Sequence, residues 1–319
     1  MTQHFLLSAK ARTISLKAVF TMGETKAYDT FRAMRWPETD GEAVCPRCGC
    51  VETYGIPTRR KFKCVACHHQ FSVTSGTIFA SRKMSFTDLL AAIVIFVNGA
   101  KGVAALQLSR DLACQYKTAF VLTHKLREAM AREQIGRTLD GMVEIDGAYF
   151  GGYVKPENRK EDRKDRRLAE NRTGKRQCVV IMRERNGKSL PFSVRNEGDA
   201  VPYVRDHVGT LVTIHADEGT GWDALHAGWD VKRINHSVAF LDDGACTNQA
   251  ESYFSRLRRM EVGTHHHIAG PYLHQYAREA SWREDNRRVD NGMQAAMVTS
   301  AAMACKVSRA WKGYWQRAA

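Results

Sequence analysis

Asp146 ends the apolar run Met142-Val143-Glu144-Ile145-Asp146-Gly147, and Asp217 ends Leu211-Val212-Thr213-Ile214-His215-Ala216-Asp217. A third acid, Glu251, lies near the start of a helical stretch, Asn248-Gln249-Ala250-Glu251-Ser252-Tyr253-Phe254. Two carboxylates at strand ends and one on a helix can converge on a site whose mutual repulsion a metal offsets, the layout of a two-metal phosphoryl-transfer centre. Each acid alone has an ordinary explanation. Asp146 before Gly147 suits a turn, Asp217 suits a helix N-cap, and Asn248-x-x-Glu251 reads as a capping box. The combination points elsewhere. A helix from Asn248 puts Glu251, Ser255, Arg258 and Arg259 on one face and Tyr253, Phe254, Leu257 and Met260 on the opposite, core-facing stripe. An acid able to hold a cation, followed by two guanidiniums able to hold phosphates, is more than a cap requires.

A second chemistry is written in cysteine. Cys45, Cys48, Cys64 and Cys67 form C-x2-C-x15-C-x2-C, two knuckles whose four thiolates make a closed tetrahedral site for a structural Zn2+. The nine cysteines do not divide into pairs, and this spacing reads as metal rather than disulfide. Between the knuckles, Arg59-Arg60-Lys61 supplies a basic strand suited to DNA. His265-His266-His267 is a weaker signal: three adjacent histidines cannot all face one ion, so DNA contact or polar packing is favoured.

These groups need elements to hold them. From residue 140 to 290 the pattern gives strands 142–150, 177–184 and 189–195, a helix around 199–207, strand 211–216, a short helix 222–227, strand 231–234 and a long helix from 248. Arg185-Asn186-Gly187-Lys188 makes a hairpin turn. Three antiparallel strands, then helix, strand, helix, strand, helix, is the element order of the ribonuclease H-like fold, with a mixed five-stranded sheet. In that order Asp146 and Asp217 leave neighbouring strands and Glu251 faces them. The expected class is therefore α+β and multidomain. Residues 1–25 form a disordered arm or an over-long start ahead of Met22, 26–80 a zinc ribbon, 81–135 a helical, helix-turn-helix-like DNA-binding segment, 140–290 the catalytic domain and 291–319 a tail rich in Ala and Met. Residues 155–176 carry ten Lys or Arg and five Asp or Glu, a solvated arm or a clamp on phosphates.

Charge narrows the partner. Forty-eight Lys and Arg against 34 Asp and Glu leave a formal net charge of +14, which favours a polyanion. No run approaches the ~20 apolar residues of a membrane span. The longest, Leu89 to Val97, fits a buried helix. The N-terminus lacks the pattern of a secretory signal.

The run Val143-Glu144-Ile145-Asp146-Gly147-Ala148-Tyr149-Phe150-Gly151-Gly152 resembles the first catalytic motif of bacterial insertion-sequence transposases of the ISXO-two-like type. Arg35-Trp36-Pro37, Arg233-Ile234-Asn235-His236, Thr247 through Arg259, Gly263 through Ile268 and Trp282 through Arg288 are similar to other motifs of that family. The resemblance implies a zinc ribbon and a ribonuclease H-like DDE domain that cuts and joins double-stranded DNA with Mg2+ or Mn2+. It puts Asp146, Asp217 and Glu251 in the catalytic roles, with Asn248 a competitor for the third because some relatives carry Asn there. Asp217 is preferred to Glu218 as the residue closing its strand. Arg258 matches a basic position seven after the third acid. The chemistry so implied is in-line attack at a phosphodiester, one cation held by Asp146 and Asp217 and the other by Asp146 and Glu251, without a covalent enzyme intermediate. A homo-oligomer on DNA and a bacterial cytoplasmic setting, at the nucleoid when bound, are implied as well. The alternative from another class is a zinc-ribbon DNA-binding regulator with a dead C-terminal domain.

Overall fold

The computed structural model describes residues 5–151, 159–164, 176–234 and 246–316. The chain divides into two units, residues up to Glu133 together with those from Asn286 onward, and Gln134–Asp285.

In the first unit, Ser15 caps α1 (Leu16–Arg35), its Oγ accepting from Ala18 N at 3.1 Å. Val19, Ala27 and Phe31 are buried. Gly23, at φ 74°, kinks the helix, a conformation open to glycine at little cost. Residues 16–25 are thus helical rather than a disordered arm. The kink interrupts the apolar spacing, so the stripe does not read as a helix in the sequence.

Just past the kink, Glu24 accepts from Phe86 N and Thr87 N at 3.1 and 3.0 Å, capping α2 (Phe86–Asn98). Burial would raise its pKa, but these donors and the nearby Arg60 hold it low. α2 buries Leu89, Leu90, Ile93 and Phe96. Two further helices follow, α3 (Ala105–Asp111) and α4 (Tyr116–Arg132). The three occupy the segment read as helix-turn-helix-like. Among the described residues no helix is long and apolar enough to cross a membrane.

The last helix, Asn291–Ala304, belongs to this unit rather than forming a separate tail. Ala295, Val298, Ala302 and Met303 are buried, and it packs on α1, α2 and α4. Small side chains let helix axes approach closely, which is why a stretch of Ala and Met reads as featureless and yet serves as core. Asn291 ties it to the start of the chain, its Oδ1 accepting from Thr13 N at 2.9 Å and Ile14 N at 3.1 Å.

Between α1 and α2 lie β1 (Thr53–Ile56), β2 (Lys61–Cys64) and β3 (Gln70–Phe71), an antiparallel three-stranded sheet. Trp36, Phe62 and Phe71 form its core, with ring centroids 5.6 to 6.3 Å apart.

The second unit is built on β4 (Met142–Phe150), β5 (Gln177–Glu184), β6 (Ser189–Val194), β7 (Thr213–Asp217) and β8 (Asp230–Ile234). Their order is β6-β5-β4-β7-β8. The first three are antiparallel, and β7 and β8 run parallel to β4. This is the expected ribonuclease H-like sheet. The turn between β5 and β6 carries Asn186 at φ 62°, a conformation that asparagine tolerates.

Side chains alternate across the sheet. Val143, Ile145, Ile214 and Ala216 pack on one face with Val204 of α5 (Val201–His207). Ala148, Phe150, Val179 and Ile181 pack on the other with Tyr253, Phe254 and Leu257 of α6 (Asn248–Met260) and Leu273 of α7 (Gly270–Asp285). Even positions of β4 and odd positions of β7 therefore face α6.

The Trp282–Arg288 motif has a structural use at its centre. Glu284, buried, pairs with Arg183 of β5 at 3.3 Å and Arg256 of α6 at 2.8 Å. Asp285 pairs with Arg137 at 2.9 Å and accepts from Ser189 Oγ at 2.7 Å. Two arginines on one carboxylate fix α7 and α6 to the same strand.

Candidate active site

Asp146 and Asp217 meet because β4 and β7 are neighbours in register, Ile145 opposite Ala216. Both acids follow those residues on the face toward α6, and Glu251 stands on the first turn of that helix. Glu218 lies outside the strand and is exposed. Burial raises Asp146 to about 7, reinforced by the charges of Asp217, Glu197 and Glu251 and opposed by the N–H of Gly147, which donates to Asp146 Oδ1 at 2.7 Å. The turn after Asp217 is tied down from both sides. Gly219 N donates to Asp217 Oδ1 at 3.1 Å, and Arg233 of β8 donates to Gly219 O at 2.6 Å.

The helix carrying Glu251 is not capped as its sequence suggests. Thr247, not Asn248, is the N-cap, and its side chain makes no cap bond. The cap comes from the sheet. Glu144 Oε2 accepts from Gln249 N at 2.8 Å and Ala250 N at 3.1 Å, while its Oε1 accepts from Arg185 Nε at 3.2 Å. A carboxylate at a helix N-terminus satisfies orphan donors and suits the dipole. Glu144 is fully buried two residues before Asp146, so one strand carries the first acid and anchors the helix of the third. Only its full burial in the strand, which no local pattern predicts, reveals this role. Glu144→Ala should cost about 3 kcal/mol, because a buried charge network loses its acceptor, whereas Glu144→Gln should recover part of that loss in urea unfolding.

On α6, Glu251, Ser255, Arg258 and Arg259 are exposed, and Tyr253, Phe254, Leu257 and Met260 are buried. Arg258 lies two turns, about 10 Å, beyond Glu251. Arg259 Nε donates to Ser255 O at 3.0 Å. His265 packs its ring on Tyr276, with centroids 4.7 Å apart. Most of the basic segment 155–176, and Asn235 and His236, lie outside the described residues.

Cys45, Cys48, Cys64 and Cys67 converge, all four Sγ within 4.8 Å of one another and three pairs at 3.5 to 3.6 Å. Zn–S bonds of 2.3 Å in a tetrahedron require S–S separations of about 3.8 Å, so the donor set fits zinc. Cys67 N donates to Cys64 Sγ at 3.5 Å and is the leading cause of a thiol pKa lowered to about 6. Gly49 at φ 76° and His68 at φ 56° turn the two knuckles. Cys50 stands apart, its Sγ 3.7 Å from Glu52 O. Arg59 and Lys61 are exposed at the ribbon's hairpin, but Arg60 is engaged, paired with Glu24 at 3.0 Å and lying 5.5 Å over the Tyr28 ring.

Among the described residues these cysteines are the one group of three or more metal-ligating side chains whose donor atoms all lie that close together. The carboxylates of Asp146, Asp217 and Glu251 share a field without meeting in one such cluster. Their oxygen donors suit a hard divalent cation.

Sequence models of two domains match the chain. The ISXO2-like transposase domain matches residues 138–285, nearly the whole second unit, and the transposase zinc-ribbon domain matches residues 22–70. No curated protein sequence matches. Among solved structures, the crystal structure of the Mos1 strand transfer complex is similar over 67% of this chain and 78% of that chain, at 11% identity and a TM-score of 0.20, too loose to locate residues. A ribonuclease H-like sheet inside the first match and a zinc-binding cysteine cluster inside the second place the chain in one family: it is an insertion-sequence DDE transposase of the ISXO2-like type, an enzyme that acts on DNA.

Proposed function

We propose that Asp146, Asp217 and Glu251 are the acids of this transposase's strand-transfer centre and hold Mg2+ or Mn2+. The observation that carries this reading is the alignment of Asp146 and Asp217 on one face of parallel neighbours, with the helix of Glu251 anchored by Glu144 to the same strand. The cations, when bound, supply the Lewis acidity for in-line displacement at phosphorus. Asp146 must then be ionised, which its raised pKa opposes and a cation favours. Glu251 rather than Asn248 is read in the third position, because a carboxylate oxygen holds a hard divalent cation more strongly than a neutral amide.

Arg258 and Arg259 follow Glu251 on the exposed face and suit DNA phosphates. Arg59 and Lys61 do so on the ribbon, with Arg60 serving the fold first. Contacts of this kind add affinity with little sequence information. The helical segment 81–135 contributes to end binding, two ends are brought together by a homo-oligomer, and the setting is the bacterial cytoplasm. A regulator with a dead catalytic domain is not favoured by three acids held on one face.

The test is joining of the element's own end DNA to a target by purified protein with Mg2+. Asp217→Asn and Glu251→Gln should each lower joined product a hundredfold or more, about 3 kcal/mol of transition-state stabilisation, while end binding persists. Joining at the normal rate by either variant would remove that residue from the centre.

A further inference from the structure

We propose that Glu197 is a fourth metal-holding acid of the strand-transfer centre, reaching toward Asp146 and Asp217 through room left by Gly147 and Gly221. The inference rests on the reading of Asp146 and Asp217 as metal-holding residues. Glu197 opens the 3-10 turn Glu197–Ala200 that follows β6. Asp199, not Glu197, closes the capping box of that turn, its Oδ2 accepting from Asn196 N at 2.9 Å. The Glu197 side chain lies instead against β4 from the face opposite α6, at the ends of the strands that carry the two aspartates. A Cβ on Gly147, the residue after Asp146, would stand 2.8 Å from Glu197 Oε1 and closer still to its Cγ. A Cβ on Gly221, four residues after Asp217, would stand 3.2 Å from the Cβ of the same glutamate. Both glycines have ordinary backbone angles, so neither is required by its own φ. Each follows one of the two aspartates, and each leaves space that Glu197 occupies.

Other contacts hold the residue there. Tyr149 lies beside it, with the Arg176 guanidinium 4.4 Å over the Tyr149 ring. Glu197 is half-buried, and its carboxyl is raised by burial and by the charge of Asp217, with Arg176 opposing. Asp146 feels Glu197 more strongly than it feels Glu251. A carboxylate wedged in this way beside two others is costly without a cation and suited to one that binds.

Mn2+ binding to the full-length, zinc-loaded protein without DNA, measured by calorimetry, tests the assignment in Glu197→Gln, Asp146→Asn and the unaltered protein. Glu197→Gln keeps size and hydrogen-bonding capacity and removes the charge. It should weaken Mn2+ binding at least tenfold, with zinc content and far-UV circular dichroism unchanged. The Mn2+ concentration that gives half-maximal joining should rise in step. If Glu197→Gln binds Mn2+ as the unaltered protein does while Asp146→Asn does not, Glu197 is no ligand and the proposal falls alone. If Asp146→Asn also binds normally, the reading of the whole centre falls with it. Should Glu197→Gln lose helicity, Gly147→Ala, which displaces the glutamate without removing its charge, must reproduce the weakened Mn2+ binding, or the proposal is overturned.

Discussion

Asp146→Asn should lower strand transfer by about a thousandfold or more and yet leave the protein at least as stable at neutral pH when no Mg2+ is present. The two effects have one origin. Asp146 is held to about 7, first by burial and then by its acidic neighbours. Its folded pKa lies above the unfolded value, so between about pH 4 and 7 the unfolded chain binds fewer protons at this position than the folded one. Its contribution to stability is therefore lost as pH rises through that window and stays lost above it. Asn carries no charge and escapes the loss. Thermal unfolding in buffer without added divalent cation, rather than in chelator, leaves zinc in place and isolates the effect. Across that window the unaltered protein should lose more stability than the variant. Mg2+ should restore the unaltered protein at pH 8 and do nothing for Asp146→Asn. A variant that melts lower than the parent in metal-free buffer would mean that Asp146 serves the fold.

Replacing Cys64 by Ser should release zinc and unfold the ribbon as a unit. The strands β1 to β3 hold only ten residues between them, and their apolar core is essentially three rings. So little buried area cannot offset the entropy of ordering the segment. Zinc at structural sites of this class contributes about 10–16 kcal/mol of apparent binding free energy. The expected readouts are zinc content falling to near zero and loss of near-UV signal from Trp36, which is buried against Phe62. Cys50→Ser serves as the control and should keep its zinc, since Cys50 stands outside the cluster. Retention of zinc by Cys64→Ser would require another donor in its place, with His68 and His69 nearest in sequence.

How much of this was legible beforehand depended on whether the partners were close in sequence. The strand and helix order of the second unit follows from local periodicity, and the two faces of α6 could be counted off from Asn248. The zinc ligands declare themselves by spacing. Glu144 could not, because its partners Arg185, Gln249 and Ala250 come from elements that the sheet alone assembles. The capping box that Asn248 and Glu251 offer as the ordinary reading does not form for the same reason: a distant carboxylate fills the cap. Glu197 reads as a polar residue in a turn until Gly147 is seen beside it. Arg60 looked like one of three equivalent basic residues, and its distant partners, Glu24, 36 positions earlier, and Tyr28, distinguish it from Arg59 and Lys61.

The helix Asn291–Ala304 completes the core of a unit whose other members lie before residue 134. During synthesis, the ribosome must pass through all of Gln134–Asp285 before that core can close. The apolar surface of α2 thus waits, partly uncovered, while a whole sheet is made and folded. A message cut short after Asp285 still encodes every acid of the catalytic unit but yields a first unit missing a side of its core. Frameshifts late in the gene should therefore silence a copy through chaperone and protease surveillance, without touching its chemistry.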